Sequence, residues 1–133
     1  MKTLFAVSLA LTAFASGAGA ACAVDTVTVL GDFGRARFAV DVADDEAERA
    51  QGLMYVEEMG RFEGMLFVYE APRPASFWMR NTLIPLDETP IFGGDEIAYV
   101  LEINGGMAAR LGIAPGDVLQ HPAIGPEPAA PCE

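Results

Sequence analysis

Lysine is almost missing: Lys2 is the only one in the chain. Schiff-base chemistry on a lysine is therefore excluded from everything beyond the first residues. Histidine is represented by His121 alone, and Ser76 is the only serine after residue 20. A Ser-His-acid triad would have to use that pair. Ser76 lies in Pro-Ala-Ser-Phe-Trp and not on a G-x-S-x-G elbow, so the two residues read as incidental. Cysteine occurs twice, at Cys22 and Cys132, with no C-x-x-C. That spacing offers no thiolate cluster for a metal. No stretch after residue 20 is long and apolar enough to span a bilayer as a helix.

What the chain does have is acid. Nineteen Asp and Glu face eight Lys and Arg, for a net charge of −11. The start reads as an export signal: Lys2 in the n-region, an apolar run from Leu4 to Phe14, and Ala18-Gly19-Ala20 as an A-x-A cleavage site. Residues 1–20 are expected to be removed, leaving a chain from near Ala21 with a charge of −12. A lipoprotein signal at Cys22 is the rival, but Gly19-Ala20-Ala21-Cys22 lacks the large aliphatic residue at position −3. The seven arginines are scattered, and an anionic surface argues against nucleic acid or anionic lipid as a partner. In an exported protein, Cys22 and Cys132 are expected to form a disulfide.

Hydrophobic patterning then gives the elements. Thr26 to Leu30 and Arg35 to Val42 read as strands joined by a hairpin turn at Gly31-Asp32-Phe33-Gly34. Asp45 with Glu48 fits a capping box, and Ala47, Ala50, Leu53 and Met54 follow on one helical face ending near Gly52. Gly64 to Tyr69 is apolar throughout, as in a strand covered on both faces. Pro72 and Pro74 predict a break, Phe77 to Arg80 a further strand, and Pro85, Pro90 and Gly93-Gly94 an irregular segment. Ile97 to Ile103 reads as a strand with Ala98, Val100 and Glu102 on one face. A short helix from Gly105-Gly106 through Leu111 closes at Gly112, and Pro115-Gly116 turns into Asp117-Val118-Leu119. The sum is mainly β: a small β-sandwich or partly open β-barrel with one or two short helices. Residues 21–121 form the single domain and 122–133 a proline-rich tail.

Several blocks together resemble domain of unknown function 192 (DUF 192). They are Ala47-Glu48-Arg49-Ala50-Gln51-Gly52-Leu53-Met54, Gly64-Met65-Leu66-Phe67, the run from Phe77 to Asp87, and Val100 to Gly106 with Arg110-Leu111-Gly112-Ile113. The resemblance implies a small, mainly-β, often exported domain and no established activity. Members usually carry a further strand pair after the I-P-L-D block. Here Asp87 runs straight into Glu88, as if a deletion had fused two similar segments. The stretch from Met107 to Leu119 also resembles the helix–turn–strand of a PDZ domain, with a shared local motif as its plain explanation.

The densest chemistry lies between Ser76 and Asp87. Strand alternation puts Trp78 and Arg80 on one face, close enough for the guanidinium to lie over the indole. Pro85 is expected to turn Asp87 back towards Arg80. Trp78, Arg80, Asn81 and Asp87 are the expected lining of a cleft, with Glu102 as a fifth member. Such a patch suits a small molecule, a sugar, a carboxylate or a peptide terminus. The bland alternative is a structural network. The expected role is an exported binding or accessory module with no cofactor, leaning away from catalysis. A carboxylate-dependent hydrolase of envelope carbohydrate is the alternative. A copper protein using Met54, Met59, Met65, Met79 and Met107 is the second, although methionine packs readily into irregular cores.

Overall fold

A computed structural model describes residues 22–87, 92–124 and 132. Five strands form one curled, half-barrel sheet: β1 (Thr26–Gly31), β2 (Gly34–Ala43), β3 (Glu63–Ser76), β4 (Phe92–Ile103) and β5 (Val118–Gln120). Their order is β4-β3-β2-β1-β5. Two short helices, α1 (Glu46–Gln51) and α2 (Met107–Leu111), complete the set. The β1–β2 hairpin pairs in register from Thr26 opposite Ala39 to Gly31 opposite Gly34. β2 and β3 run parallel, and α1 lies in the connection between them. The mainly-β expectation and the hairpin both hold.

Period-two alternation sorts the side chains onto two faces. On one face Val27, Val29, Phe38, Val40, Leu66 and Ile103 form the main core together with Met107 of α2, and Leu101, Tyr99 and Leu111 pack against it. On the other, Phe67 and Ala43 are buried outside that cluster. Leu66 and Phe67 are thus adjacent and both covered, as the apolar run predicts.

Three expectations are corrected. Pro72 and Pro74 do not end a strand: β3 continues to Ser76, with register shifts between Val68 and Arg73 and on to Ser76. Prolines are tolerated where a ladder is already irregular, since no paired N–H is lost there. Gly93 and Gly94 fall inside β4, where its register with β3 shifts, so the irregularity expected there lies within a strand. The Phe77–Arg80 strand does not form, because β3 has already reached Ser76 and a turn follows, with Thr82 N donating to Met79 O at 3.2 Å. And α1 buries none of its own residues: Ala47 and Ala50 stay exposed, while Leu53, just past the helix, is the buried one.

The local signals at both helices hold. Asp45 Oδ1 accepts from Glu48 N at 2.7 Å, and Glu48 reaches back to the Asp45 amide. Gly52 caps α1 at φ 51°, and a Cβ there would sit 3.2 Å from the Phe67 ring. Gly112 caps α2. The Cys22–Cys132 disulfide is present, with the two Cα atoms 5.4 Å apart. His121 is buried: Ala123 N donates to its Nδ1, which leaves Nε2–H to donate to Val24 O at 2.8 Å. That is a structural role, with both ring nitrogens used. The Asp87–Glu88 junction and most of the proline-rich tail lie outside the described residues. Among those described, no helix is long and apolar enough to cross a membrane.

Candidate functional site

The face of the sheet opposite the main core carries a cavity of about 200 Å³. Its floor comes from alternation along β3 and β4. Phe67 and Tyr69 point the same way, and Glu102 shares their face through its pairing with Met65. One wall is α1 and its exit, with Arg49, Leu53 and Met54; the other is the turn region after β3, with Ser76, Phe77, Trp78, Arg80 and Thr82. The Phe67 and Phe77 rings meet edge to face at 6.4 Å, which holds the second wall to the floor.

Its charged groups are held in different ways. Arg49 Nη1 donates to Asp44 O at 2.6 Å and Val68 O at 2.8 Å, and its guanidinium lies 5.2 Å from the Tyr69 ring centre. Arg73 approaches the same ring at 5.7 Å. Arg80 stacks on Trp78 at 5.4 Å. Glu102 is 6% exposed, at an inward position where a carboxylate needs partners, and it has them. Burial pushes the Tyr69 hydroxyl above its usual pKa; Arg49 and Arg73 oppose that shift and Glu102 adds to it.

Of the expected site residues, Trp78, Arg80 and Glu102 line this cavity. Trp78 and Arg80 come together by a turn rather than by strand alternation. Asn81 and Asp87 are not among its lining residues. Asn81 occupies φ 56°, and its carbonyl accepts from the amide of Tyr55, itself at φ 63°. The two loops beside the cavity are thereby tied by two residues in a region that favours glycine. Asp87 turns away from Arg80: its Oδ1 and Oδ2 accept from Gly106 N and Ala108 N, each at 2.6 Å. It thus caps α2, whose N-cap Gly106 has no side chain for the task. The segment stays close because Gly105 packs on Pro85, where a Cβ would meet the Pro85 side chain at 3.1 Å.

Arg49, Tyr69 and Thr82 were not singled out in the sequence, and Ser76 was weighed only as an incidental triad serine. Arg49 lay inside the Ala47–Met54 block but read only as part of a helix face. Tyr69 read as one more apolar strand position. Neither has a spacing signal, because α1 and β3 meet only in the folded chain.

These features define a small mainly-β domain with an arginine- and aromatic-lined cavity on one sheet face. The chain belongs to the DUF192 family, "Uncharacterized ACR", whose model matches residues 28–92. It is similar to a protein of unknown function from Novosphingobium aromaticivorans, at 42% identity and TM-score 0.64 over 71% of this chain and 82% of that one. A Sinorhizobium meliloti protein provisionally named a transcription regulator is similar at 33% identity and TM-score 0.65, over 74% of this chain and 94% of that one. No curated protein matches the chain.

Proposed function

We propose that the protein is an exported binding or accessory module that holds a small anionic ligand in the cavity between α1 and the Ser76–Thr82 segment. One observation carries this reading. In a chain of net charge −11, two arginines line one cavity beside an exposed tryptophan. Arg49 is engaged by two backbone carbonyls, but the Arg80 guanidinium beside Trp78 offers a fork for a carboxylate, and such charge-assisted bonds are the strong ones. The signal segment and the disulfide support export.

Hydrolysis is the weaker reading. A glycosidase needs two carboxyl groups flanking the scissile bond, and Glu102 is the one acid lining the cavity among the described residues. For copper, thioethers would have to converge. Met107 is instead in the main core, Met54 lines the cavity and Met79 is exposed.

Trp78 is the only tryptophan of the chain, so its emission reports on the cavity alone. Titrating the mature, oxidised protein with a panel of uronic acids, short free-acid peptides and simple carboxylates should give a saturable change for at least one. Arg80→Gln should weaken that binding about tenfold or more, the scale of one charge-assisted hydrogen bond. No response across the panel, or an Arg80→Gln protein as unstable as a core mutant, would make the patch structural.

A further inference from the structure

We infer that the ligand is a single carboxylated sugar ring, a uronic acid, either free or at the end of a chain. This rests on the binding reading above and narrows it to one class. The first argument is size. Drug-sized ligands occupy about 300–1,000 Å³. A cavity of about 200 Å³ takes one six-membered ring and its substituents, with any further units outside.

Charge is the second. Two arginines and one acid, Glu102, line the cavity, so basic groups outnumber acidic ones. That matches a monoanion. A phosphate dianion or a dicarboxylate would set its second charge against Glu102. A neutral sugar would leave the excess of positive groups without a counter-charge.

The third argument is the distribution of polar and apolar surface. The Trp78 ring is 61% exposed, and Arg80 occupies one side of it. Its remaining surface offers an apolar platform to the C–H face of a sugar ring. Ser76 and Thr82 supply hydroxyl groups on the same lining. These are partners for vicinal ring hydroxyls. A bare carboxylic acid would use the arginines and leave this polar wall idle. A peptide carboxyl terminus would use the arginines and present one amide to it.

Trp78 emission provides the test, with galacturonate, glucuronate, galactose, glucose, acetate and N-acetyl-dialanine as probes on the mature, oxidised protein. Each uronate should bind at least about tenfold more tightly than its neutral sugar and than acetate. Arg80→Gln should abolish the preference for the uronate over the neutral sugar. Ser76→Ala should lose more affinity for galacturonate than for acetate; its side chain is exposed, so folding is preserved, and Thr82→Ala, at a half-buried position, is a second variant whose urea midpoint should be checked first. Digalacturonate binding more weakly than galacturonate marks the free acid as ligand; equal or tighter binding marks a chain end. If acetate or N-acetyl-dialanine matches the uronates, the sugar assignment fails while the anion site stands. Silence from every probe overturns both.

Discussion

Leu66 and Phe67 are neighbours in β3 and both are buried, yet they belong to different halves of the molecule. Leu66 enters a core assembled from Val27, Val29, Phe38, Ile103 and Met107. Phe67 faces Gly52, Phe77 and a cavity that also holds Arg49, Tyr69, Arg80 and Glu102. The first face is apolar and closed. The second mixes charge, aromatic rings and two non-glycine residues at positive φ in its flanking loops. One sheet thus divides its labour: the face that supplies stability carries little chemistry, and the face that carries the chemistry is incompletely filled. Buried polar groups and positive φ angles cost stability, so the main core has to compensate for them.

The largest effect should come from the disulfide. Replacing Cys22 and Cys132 by serine opens a connection spanning 110 residues. The chain-entropy model assigns about 4–5 kcal/mol to a loop of this length. Urea unfolding of the oxidised and serine proteins should show that loss. Equal midpoints would mean that the staple adds nothing to a sheet already closed. Next is Phe38→Ala, at a fully covered position of the main core, with an expected cost of about 3–5 kcal/mol. The same unfolding assay reads it, and a cost under about 1 kcal/mol would dissolve the distinction between the faces.

Asp87→Asn sharpens the comparison from a residue that sequence reasoning placed on the wrong side. Its carboxylate binds two amides at the start of α2, and an asparagine keeps one acceptor oxygen for them. Hydrogen bonds to charged groups contribute about 1.5–3 kcal/mol, so a loss of about 1–2 kcal/mol is expected. Because α2 packs on the main core, Trp78 emission in the folded variant should stay as in the parent. A shifted emission would show that the Asp87 segment also shapes the cavity.

The hairpin, the capping box, the α2 stop and the two-faced β3 run were legible in the sequence because each is set by local chemistry. The Trp78–Arg80 contact was legible too, although for the wrong reason. A strand would stack the two side chains by alternation; the observed turn stacks them by folding back. What stayed hidden depends on tertiary approach. Prolines read as strand breakers unless the bulged ladder that accommodates them is known. Arg49 joins Tyr69 only because β2 and β3 pair in parallel and draw α1 across the sheet. Asp87 had two available roles, as a partner for Arg80 or as a cap for a helix that begins with two glycines. The second satisfies both carboxylate oxygens, and no spacing rule foretold it.

A smaller effect belongs to Tyr69. Burial raises its pKa above the usual value near 10. The folded state therefore holds this proton more tightly than the unfolded one. The associated stability is fully present below pH 10 and is lost as pH rises through the higher, folded pKa. Unfolding midpoints should fall with pH above 10, and Tyr69→Phe should flatten part of that slope. An unchanged slope would place the high-pH sensitivity elsewhere.

The smallest change in stability, and the one that separates the two faces most cleanly, is expected from Arg80→Gln. Arg80 is exposed and stacks on an exposed ring, and such cation–π contacts contribute about 0.5–1 kcal/mol. Losing the guanidinium should therefore cost no more than about 1 kcal/mol in urea unfolding, well below Phe38→Ala. Arg49 keeps its two backbone carbonyls and Glu102 stays under its neighbours, so the cavity floor should remain in place. Glutamine retains a donor amide and most of the stem, so any large effect on anion binding must come from the missing charge and fork. A folded Arg80→Gln protein with weakened binding would assign the open face to recognition. Equal loss in stability and binding would instead make Arg80 part of the scaffold, and the division between the two faces of β3 would then be one of packing alone.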